Sequence, residues 1–288
     1  MAVKLLTIKE LKKFIKEELA SLYPSDEAES IATIAIEHAT GLDRLRQLTM
    51  SESVVEPAKK TTLESILTEL KTGKPVQYVT GETWFHGCWI KVNSSTLVPR
   101  PETEELARMV IEENAGRSIA LADLGTGSGC IAVSLAKYMP LAKIYGTDIS
   151  ENALETAKEN ARLNDVQVTF IKADILGKEV NSIPPLDVIV SNPPYVRDSE
   201  KALMSKNVLE FEPHLALFVP DEDPLVFYRA IAESARTLLR KGGKLYMEVN
   251  ESLGNETAAL VSMNGFVRTQ ILRDINGKDR FIKACLDE

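Results

Sequence analysis

The sequence has no long hydrophobic run and no excess of positive charge. No apolar stretch in its 288 residues approaches the ~20 residues that a membrane-spanning helix requires, and its first residues lack a long apolar core with a small-residue cleavage site. The net charge of −8 disfavours a broad grip on nucleic-acid phosphates. We therefore expect a cytoplasmic protein with no membrane association and no direct nucleic-acid binding. We also expect a monomer.

Cysteine and histidine are also scarce. Three of each are scattered singly along the chain, at Cys88, Cys130, Cys285, His38, His86 and His214. An odd number of widely separated cysteines argues against a disulfide framework. Because none of these residues has metal-ligand spacing, the sequence predicts no metal site.

The first part of the chain has helical periodicity. Apolar residues recur at helical spacing over residues 8–19, 28–35 and 63–70, with Phe14 among them. Thr7 and Ser25 are predicted N-caps, and Glu10 completes a capping box after Thr7. Residues 1–72 hold 10 Lys and Arg against 12 Asp and Glu, a net charge of −2. We predict a helical bundle over residues 1–74 that docks a protein rather than a nucleic acid.

Residues 75–98 show strand-like alternation of apolar and polar residues. Trp84 and Phe85 precede the dipeptide His86-Gly87, and Trp89 and Ile90 follow it. The pattern predicts a β-hairpin linker that turns at this dipeptide.

From residue 119 onward, strand patterns alternate with helix patterns. Strands are predicted at 119–124, 143–148, 166–172, 186–191, 243–249, 266–272 and 280–285, and helices at 131–138, 151–163 and 224–239. Such alternation predicts an α/β, Rossmann-like domain with a largely parallel sheet covered by helices on both faces. Ligands of these sheets bind at the carboxyl ends of the strands.

A glycine-rich loop follows the first of these strands. The loop is Gly125-Thr126-Gly127-Ser128-Gly129, and Asp148 ends the next strand 19 residues after Gly129. Glycines allow a sharp turn and close approach of a ligand, and an acid at the next strand end accepts hydrogen bonds from ribose hydroxyls. The combination indicates a cofactor that contains adenosine.

A dinucleotide is the rival ligand for such a loop. The spacing here is G-x-G-x-G rather than G-x-G-x-x-G, and Asp123 lies just before the loop. A carboxylate at that place would repel a pyrophosphate but would organise the cationic amino end of a methionine moiety. The loop therefore favours S-adenosylmethionine, with S-adenosylhomocysteine as the product.

Two later strand ends carry further candidate residues. Asp174 is placed to reach the adenine amino group, with Ile175 to pack on the ring, and the alternative for Asp174 is a turn cap. Asn192-Pro193-Pro194-Tyr195 follows the strand at 186–191. The Asn192 oxygen and a proline carbonyl would accept the hydrogens of a planar NH2 group on which Tyr195 stacks. The alternative is a proline-rich turn that closes a buried strand.

Three motifs in this order resemble those of the bacterial release factor glutamine methyltransferase family, called HemK or PrmC. They are Val98-Pro99-Arg100-Pro101-Glu102-Thr103-Glu104, the stretch from Asp123 to Gly129, and Asn192-Pro193-Pro194-Tyr195. The resemblance implies a class I S-adenosylmethionine-dependent methyltransferase domain over residues 99–288, behind the helical domain and the linker.

The resemblance also assigns roles. It implies that the stretch from Asp123 to Gly129, with Asp148, Asp174, Ile175 and Asn192, binds S-adenosylmethionine, and that Arg100, Glu102 and Thr103 shape the cofactor end of the cleft. Asn192, Pro193, Pro194 and Tyr195 would hold the glutamine of the Gly-Gly-Gln motif of class 1 peptide chain release factors. The product would be N5-methylglutamine, and the helical domain would help to dock the release factor.

One position departs from the family pattern. Asn250 stands where the family usually has glycine, and because asparagine tolerates left-handed backbone conformations we expect the turn to persist. Three other functions are alternatives: an adenine N6-methyltransferase acting on DNA or RNA, a degenerate methyltransferase fold kept as a binding partner, and a nicotinamide-dependent oxidoreductase. The low basic charge disfavours the first, the intact motifs the second, and the loop spacing the third.

Overall fold

A computed structural model describes residues 6–177 and 183–287 of the chain. The outer ends of the predicted domains, at residues 1 and 288, lie outside this description. The chain forms two compact units, one made of Met1–Gly81 with Ser205–Phe211 and the other of Glu82–Met204 with Glu212–Glu288. The domain limits drawn from the sequence, at 74 and 98, remain predictions.

The first unit is helical. Its helices are α1 (Ile8–Leu19), α2 (Ser25–Thr40), α3 (Arg44–Thr49), α4 (Pro57–Leu70), α5 (Val76–Thr80) and, numbered along the chain, α9 (Lys206–Phe211). Leu11, Leu19, Ala32 and Leu70 are among the residues of its apolar core. The predicted bundle is therefore present, although Phe14 is 41% exposed.

The capping predictions have different outcomes. Thr7 Oγ1 accepts a hydrogen bond from the backbone N–H of Glu10 at 3.2 Å, and the Glu10 side chain accepts from the backbone N–H of Thr7 at 2.9 Å. This confirms the capping box. The prediction for Ser25 is wrong, because Pro24 occupies the N-cap and Ser25 is the first helical residue.

The predicted hairpin is present but shorter than the alternation implied. Strands β1 (Glu82–Phe85) and β2 (Cys88–Lys91) pair antiparallel around His86-Gly87. Both turn residues have positive φ, 39° and 76°, as a two-residue hairpin loop requires. Residues 76–80 form α5 instead of a strand, since Pro75 lies at its N-cap and Gly81, at φ 76°, ends it.

The second unit is built on a seven-stranded sheet. Its strands are β3 (Ala120–Leu124), β4 (Lys143–Asp148), β5 (Thr169–Lys172), β6 (Leu186–Ser191), β9 (Leu239–Glu248), β10 (Phe266–Arg273) and β11 (Asp279–Leu286). The spatial order is β10-β11-β9-β6-β3-β4-β5, with the five strands from β9 to β5 parallel and the pairs β9-β11 and β11-β10 antiparallel. A short parallel pair, β7 (Val196–Arg197) and β8 (Phe218–Val219), lies outside this sheet. The strand order confirms the predicted α/β architecture.

Helices cover this sheet. They are α6 (Pro101–Asn114), α7 (Cys130–Tyr138), α8 (Glu151–Leu163), α10 (Val226–Leu238) and α11 (Gly254–Met263). Consecutive strand residues point to opposite faces, and Leu121 and Ala122 of β3 are both fully buried, so neither face at this strand is open to solvent. No helix in the described part of the chain is both long and apolar enough to cross a membrane.

The register of the central strands brings their carboxyl ends to one edge. Leu124 of β3 pairs with Thr147 of β4 on one side and with Ser191 of β6 on the other. Ser191 in turn pairs with Met247 of β9. The segments that follow these strands therefore emerge side by side, which is where parallel sheets bind ligands.

Candidate active site

The glycine loop between β3 and α7 has a left-handed backbone at each glycine. The φ angles of Gly125, Gly127 and Gly129 are 74°, 53° and 78°. At Gly129 the limit is also steric, because a Cβ atom there would lie 2.9 Å from the Cβ of Ala157 on α8. A side chain at this position would push α8 away from the loop, so glycine is needed for both conformation and packing.

Asp123 supports the loop from beneath. Its side chain is fully buried, and its Oδ2 accepts a hydrogen bond from the Thr126 hydroxyl at 2.6 Å. The other oxygen, Oδ1, is buried without a hydrogen-bond partner among the described residues. Burial raises the pKa of Asp123 to about 7. Asp123 does not line the ligand cleft that is described below. It therefore acts on that cleft through its contact with the loop.

Asp148, at the end of β4, is held against the same loop. Its Oδ2 accepts from the backbone N–H of Gly127 and its Oδ1 from that of Ser150, each at 2.8 Å. Burial raises the pKa of this carboxyl group. Because each carboxylate oxygen has two lone pairs, both retain capacity for a further donor, as a pair of ribose hydroxyls requires.

A cleft of about 320 Å³ opens over this edge of the sheet. Eleven of the predicted site residues line it: Arg100, Thr103, Gly125, Thr126, Gly127, Ser128, Asp148, Asp174, Ile175, Asn192 and Pro194. Five others do not: Glu102, Asp123, Gly129, Pro193 and Tyr195. The cleft has the size of a small-molecule site, and its lining also includes residues that the sequence did not single out, among them Leu97, Ile149, Leu215 and Phe227.

Asp174 and Ile175 both lie in this lining. The Asp174 side chain accepts a hydrogen bond from the backbone N–H of Leu176 at 2.9 Å, so it does cap a turn. That bond occupies one carboxylate oxygen. Ile175 is 9% exposed and approaches the glycine loop so closely that its Cδ1 would lie 3.3 Å from a Cβ at Gly125. A flat ring bound here would therefore meet an apolar side chain at one side of the cleft.

Asn192, directly after β6, belongs to a chain of hydrogen bonds. Its amide nitrogen Nδ2 donates to the hydroxyl of Thr103 at 2.9 Å, and that hydroxyl donates to Oε2 of Glu248 at 2.7 Å. The Tyr195 hydroxyl donates to the other oxygen of Glu248 at 2.9 Å. In the described part of the chain no hydrogen bond is donated to Asn192 Oδ1, which leaves it as an acceptor at the cleft.

Glu248 is the centre of this chain of hydrogen bonds and is almost fully buried, with 1% of its surface exposed. Burial raises its pKa, while the hydrogen bonds from Thr103 and Tyr195 and the charge of Arg280 act in the opposite direction. Sequence reasoning did not give Glu248 a role. The available signal was positional, because it ends β9, the parallel neighbour of the strand that leads into Asn192.

Arg100 joins two segments that border the cleft. Its guanidinium contacts Oε1 of Glu212 at 2.5 Å, and the other Glu212 oxygen accepts from the backbone N–H of Val98 at 3.4 Å. Glu212 is 4% exposed and leads into Pro213, which lines the cleft. The ion pair thus fixes the segment before α6 to the segment that follows Glu212.

Asn250 supports its turn in another way than expected. The expected turn is present, since the backbone N–H of Leu253 donates to the carbonyl of Asn250 at 2.9 Å. Among the described residues other than glycine, positive φ angles occur at His86, Asp165 and Arg268, so the turn forms without a left-handed Asn250. Its amide instead donates to the backbone carbonyl of Tyr195 at 3.2 Å and to the Glu200 side chain at 3.0 Å. A side chain therefore makes contacts here that a glycine would lack.

Two family models match the chain. The Methyltransferase small domain matches residues 103–212, and the PrmC N-terminal domain matches residues 10–81. Among solved structures, a methyltransferase from Pyrococcus furiosus covers 70% of this chain and 90% of its own at 19% identity, with a TM-score of 0.52. That likeness concerns the fold alone. Fold, cleft and family models together define an α/β methyltransferase.

Curated relatives match nearly the whole chain. The release factor glutamine methyltransferase of Flavobacterium psychrophilum is 45% identical over 96% of this chain and 98% of its own length. That of Bacteroides thetaiotaomicron is 42% identical over 94% and 97%. The chain belongs to the release factor glutamine methyltransferase family.

Proposed function

We propose that this enzyme transfers the methyl group of S-adenosylmethionine to the side-chain amide nitrogen, N5, of the glutamine in the Gly-Gly-Gln motif of class 1 peptide chain release factors. The observation that carries the proposal is the anchored amide of Asn192. Its donor end is bonded to Thr103 at 2.9 Å, and its oxygen accepts at the same cleft that Asp148 and the glycine loop border.

The cofactor assignment is supported by the arrangement of the loop. Asp148 is bonded to Gly127 at 2.8 Å, and its carboxylate retains lone pairs for two ribose hydroxyls. The turn at Asp174 and the apolar side chain of Ile175 provide a place for adenine. Asp123 has a buried oxygen with no partner in the described chain, and in its ionised form it would place negative charge beneath the loop for the cationic methionine end. S-adenosylmethionine contributes the activated methyl group.

The acceptor nitrogen needs positioning more than it needs a base. An amide nitrogen is a poor nucleophile because its lone pair is delocalised, so two acceptors that hold its hydrogens and align it with the methyl carbon supply much of the rate. Asn192 Oδ1 and a carbonyl of the two prolines that follow it, of which Pro194 lines the cleft, fill this role. The new bond joins nitrogen to the methyl carbon, the bond from that carbon to sulfur breaks with its electron pair remaining on sulfur, and the nitrogen releases one proton to solvent.

The Tyr195 ring does not lie where it could stack on the NH2 group of a substrate in the cleft, as the sequence predicted. It packs against an apolar core cluster of the methyltransferase unit, and its hydroxyl is bonded to Glu248. We therefore assign Tyr195 to supporting Glu248, while Pro194 lines the cleft beside Asn192.

The helical unit is assigned to docking of the release factor. Its most exposed large apolar side chains lie on α3, where Leu45 is 70% and Leu48 63% exposed. The helix itself is anchored by Gln47, which is 4% exposed and donates to the backbone carbonyls of Thr33 and Leu42. A helix that presents Leu45 and Leu48 beside the exposed arginines Arg44 and Arg46 is suited to an apolar protein surface with acidic neighbours.

The test is a panel of methyl acceptors. Purified enzyme with labelled S-adenosylmethionine is incubated with a class 1 release factor, with DNA and with RNA. Label in the release factor is the expected result, and label in nucleic acid but not in the release factor would support the adenine methyltransferase instead. In the same assay Asn192→Ala should keep cofactor binding and lose most of the methyl transfer, and unchanged turnover would refute the clamp.

A further inference from the structure

We propose that Glu248 is a positioning residue that fixes the orientation of the Asn192 amide through the hydroxyl of Thr103. The proposal rests on the proposed function, since it concerns the same amide clamp. It adds two residues, Glu248 and Thr103, whose action on the substrate is indirect.

The three side chains come from distant parts of the sequence. Thr103 lies in the first turn of α6, Asn192 follows β6, and Glu248 ends β9. Parallel pairing of β6 with β9 brings the last two together, because Ser191 is in register with Met247. Thr103 and Glu248 are 3% and 1% exposed, so water does not compete for their hydrogen bond.

The direction of each hydrogen bond follows from a count of protons. An ionised carboxylate only accepts, and Glu248 receives the Thr103 hydroxyl at 2.7 Å and the Tyr195 hydroxyl at 2.9 Å. A threonine hydroxyl has one proton, which is thereby committed to Glu248. Thr103 can then offer Asn192 only a lone pair, and the group that faces it must be the donor, Nδ2.

This count decides which end of the amide faces the cleft. The nitrogen and oxygen of an asparagine side chain have the same shape, so only hydrogen-bond partners distinguish the two orientations. With Nδ2 held at 2.9 Å from Thr103, the oxygen is turned away as an acceptor. In the flipped orientation two oxygens would face each other, and an N–H would meet the NH2 group of the substrate. Only the first orientation accepts a substrate hydrogen.

Glu248 is itself held in place. The hydrogen bond from Tyr195 fixes one oxygen, and Asn250, two residues after Glu248, donates to the Tyr195 backbone carbonyl at 3.2 Å. The backbone N–H of Asn250 also donates to the Tyr228 hydroxyl at 2.9 Å. The end of β9 is therefore joined to the loop that carries Asn192 by two bonds to Tyr195, one to its hydroxyl and one to its backbone carbonyl, and to α10 by the bond to Tyr228.

The experiment compares turnover and cofactor affinity of the full chain in three variants. Thr103→Val removes the hydroxyl at nearly constant shape and should lower kcat by about 100-fold, the usual cost of a misplaced reacting group. Thr103→Ser restores the hydroxyl and should recover most of that loss. Glu248→Gln lets a donor face Thr103 and should lower kcat by about tenfold, the equivalent of one hydrogen bond to a charged group.

A matched control is available on the same helix as Thr103. Glu113 on α6 also accepts a tyrosine hydroxyl, that of Tyr246 at 2.7 Å, but lies outside the cleft lining. Glu113→Gln makes the same chemical change as Glu248→Gln. Because Glu113 lies outside the cleft, this variant should leave kcat unchanged. S-adenosylmethionine affinity should persist in all these variants, which separates positioning from loss of the folded site.

A double-mutant cycle with Asn192→Ala completes the test. If Thr103 acts through Asn192, then adding Thr103→Val to Asn192→Ala should cause no further loss of turnover. Losses that multiply, or wild-type kcat in Thr103→Val, would overturn the proposal. All variants are assayed with the acceptor that the wild-type enzyme methylates. If that acceptor is not the release factor, the proposed function is refuted, but the comparison of variants still tests the role of Glu248.

Discussion

Thr103 Oγ1 accepts a hydrogen bond from Asn192 Nδ2 at 2.9 Å, although 89 residues separate them in sequence. The contact joins two of the three segments that carry the family resemblance, the one before and within the start of α6 and the one after β6. It gives the upstream motif a physical reason, since Thr103 orients the amide that receives the substrate.

Cofactor affinity should depend strongly on Asp148. Its replacement by Ala removes two acceptors for ribose hydroxyls and leaves the Gly127 N–H without its 2.8 Å partner. Hydrogen bonds to a charged group contribute about 1.5 to 3 kcal/mol each, so we expect the loss of two to weaken S-adenosylmethionine binding by about 100-fold or more. Isothermal titration calorimetry measures this. Glu155→Gln, on the neighbouring α8 but outside the cleft, is the control, and equal affinity in both variants would contradict the role of Asp148.

Stability should respond to a methyl group at Gly129. A Cβ there would lie 2.9 Å from Ala157 Cβ, at a φ of 78°. Gly116 has nearly the same φ, 74°, but nothing within 4 Å, so Gly116→Ala has the backbone strain without the collision. We expect urea unfolding to show Gly129→Ala less stable than Gly116→Ala by about 1 to 3 kcal/mol. Equal losses would mean that α8 does not pack this closely on the loop.

The stability of the protein should depend on pH through the titration of Asp123. Its pKa is about 7 in the folded protein and 3.8 when exposed, so between these values the folded state holds a proton that the unfolded chain has released. Its contribution to stability is therefore full below 3.8 and is lost as pH rises to about 7. Asp123→Asn does not titrate. Between pH 4 and pH 7 the free energy of unfolding of the wild type should fall, relative to that of Asp123→Asn, by on the order of 4 kcal/mol. A difference between the two proteins that does not change with pH would contradict the buried carboxyl group.

Docking on α3 predicts a separation of kcat from KM. Replacing the exposed Leu45 and Leu48 by Ser should raise KM for the release factor by about 30-fold, since each exposed leucine that becomes buried contributes about 1 kcal/mol. Turnover at saturation should persist, because the cleft is untouched. Met263→Ser, 86% exposed on the other unit, is the control. A short Gly-Gly-Gln peptide should be methylated equally by both variants, and an unchanged KM for the full release factor would remove α3 from the interface.

Local features of this protein could be predicted from the sequence, and contacts between distant segments could not. The glycine loop, the Thr7 capping box and the hairpin turn depend on residues a few positions apart, so their conformations follow from the chain itself. Residues 76–80 were misassigned because Pro75 and Gly81 set helix ends that a short alternating pattern hides. Glu248 was missed because its partner Thr103 lies 145 residues away, and only the strand order of the folded sheet brings them together.

The most direct test of the account is the position of the new methyl group. A class 1 release factor is incubated with the enzyme and S-adenosylmethionine, digested, and sequenced by tandem mass spectrometry. We expect one added methyl group on the side chain of the Gly-Gly-Gln glutamine, absent when Asn192→Ala replaces the wild-type enzyme. A methyl group on another residue, or none on the release factor while a nucleic acid is methylated, would contradict it.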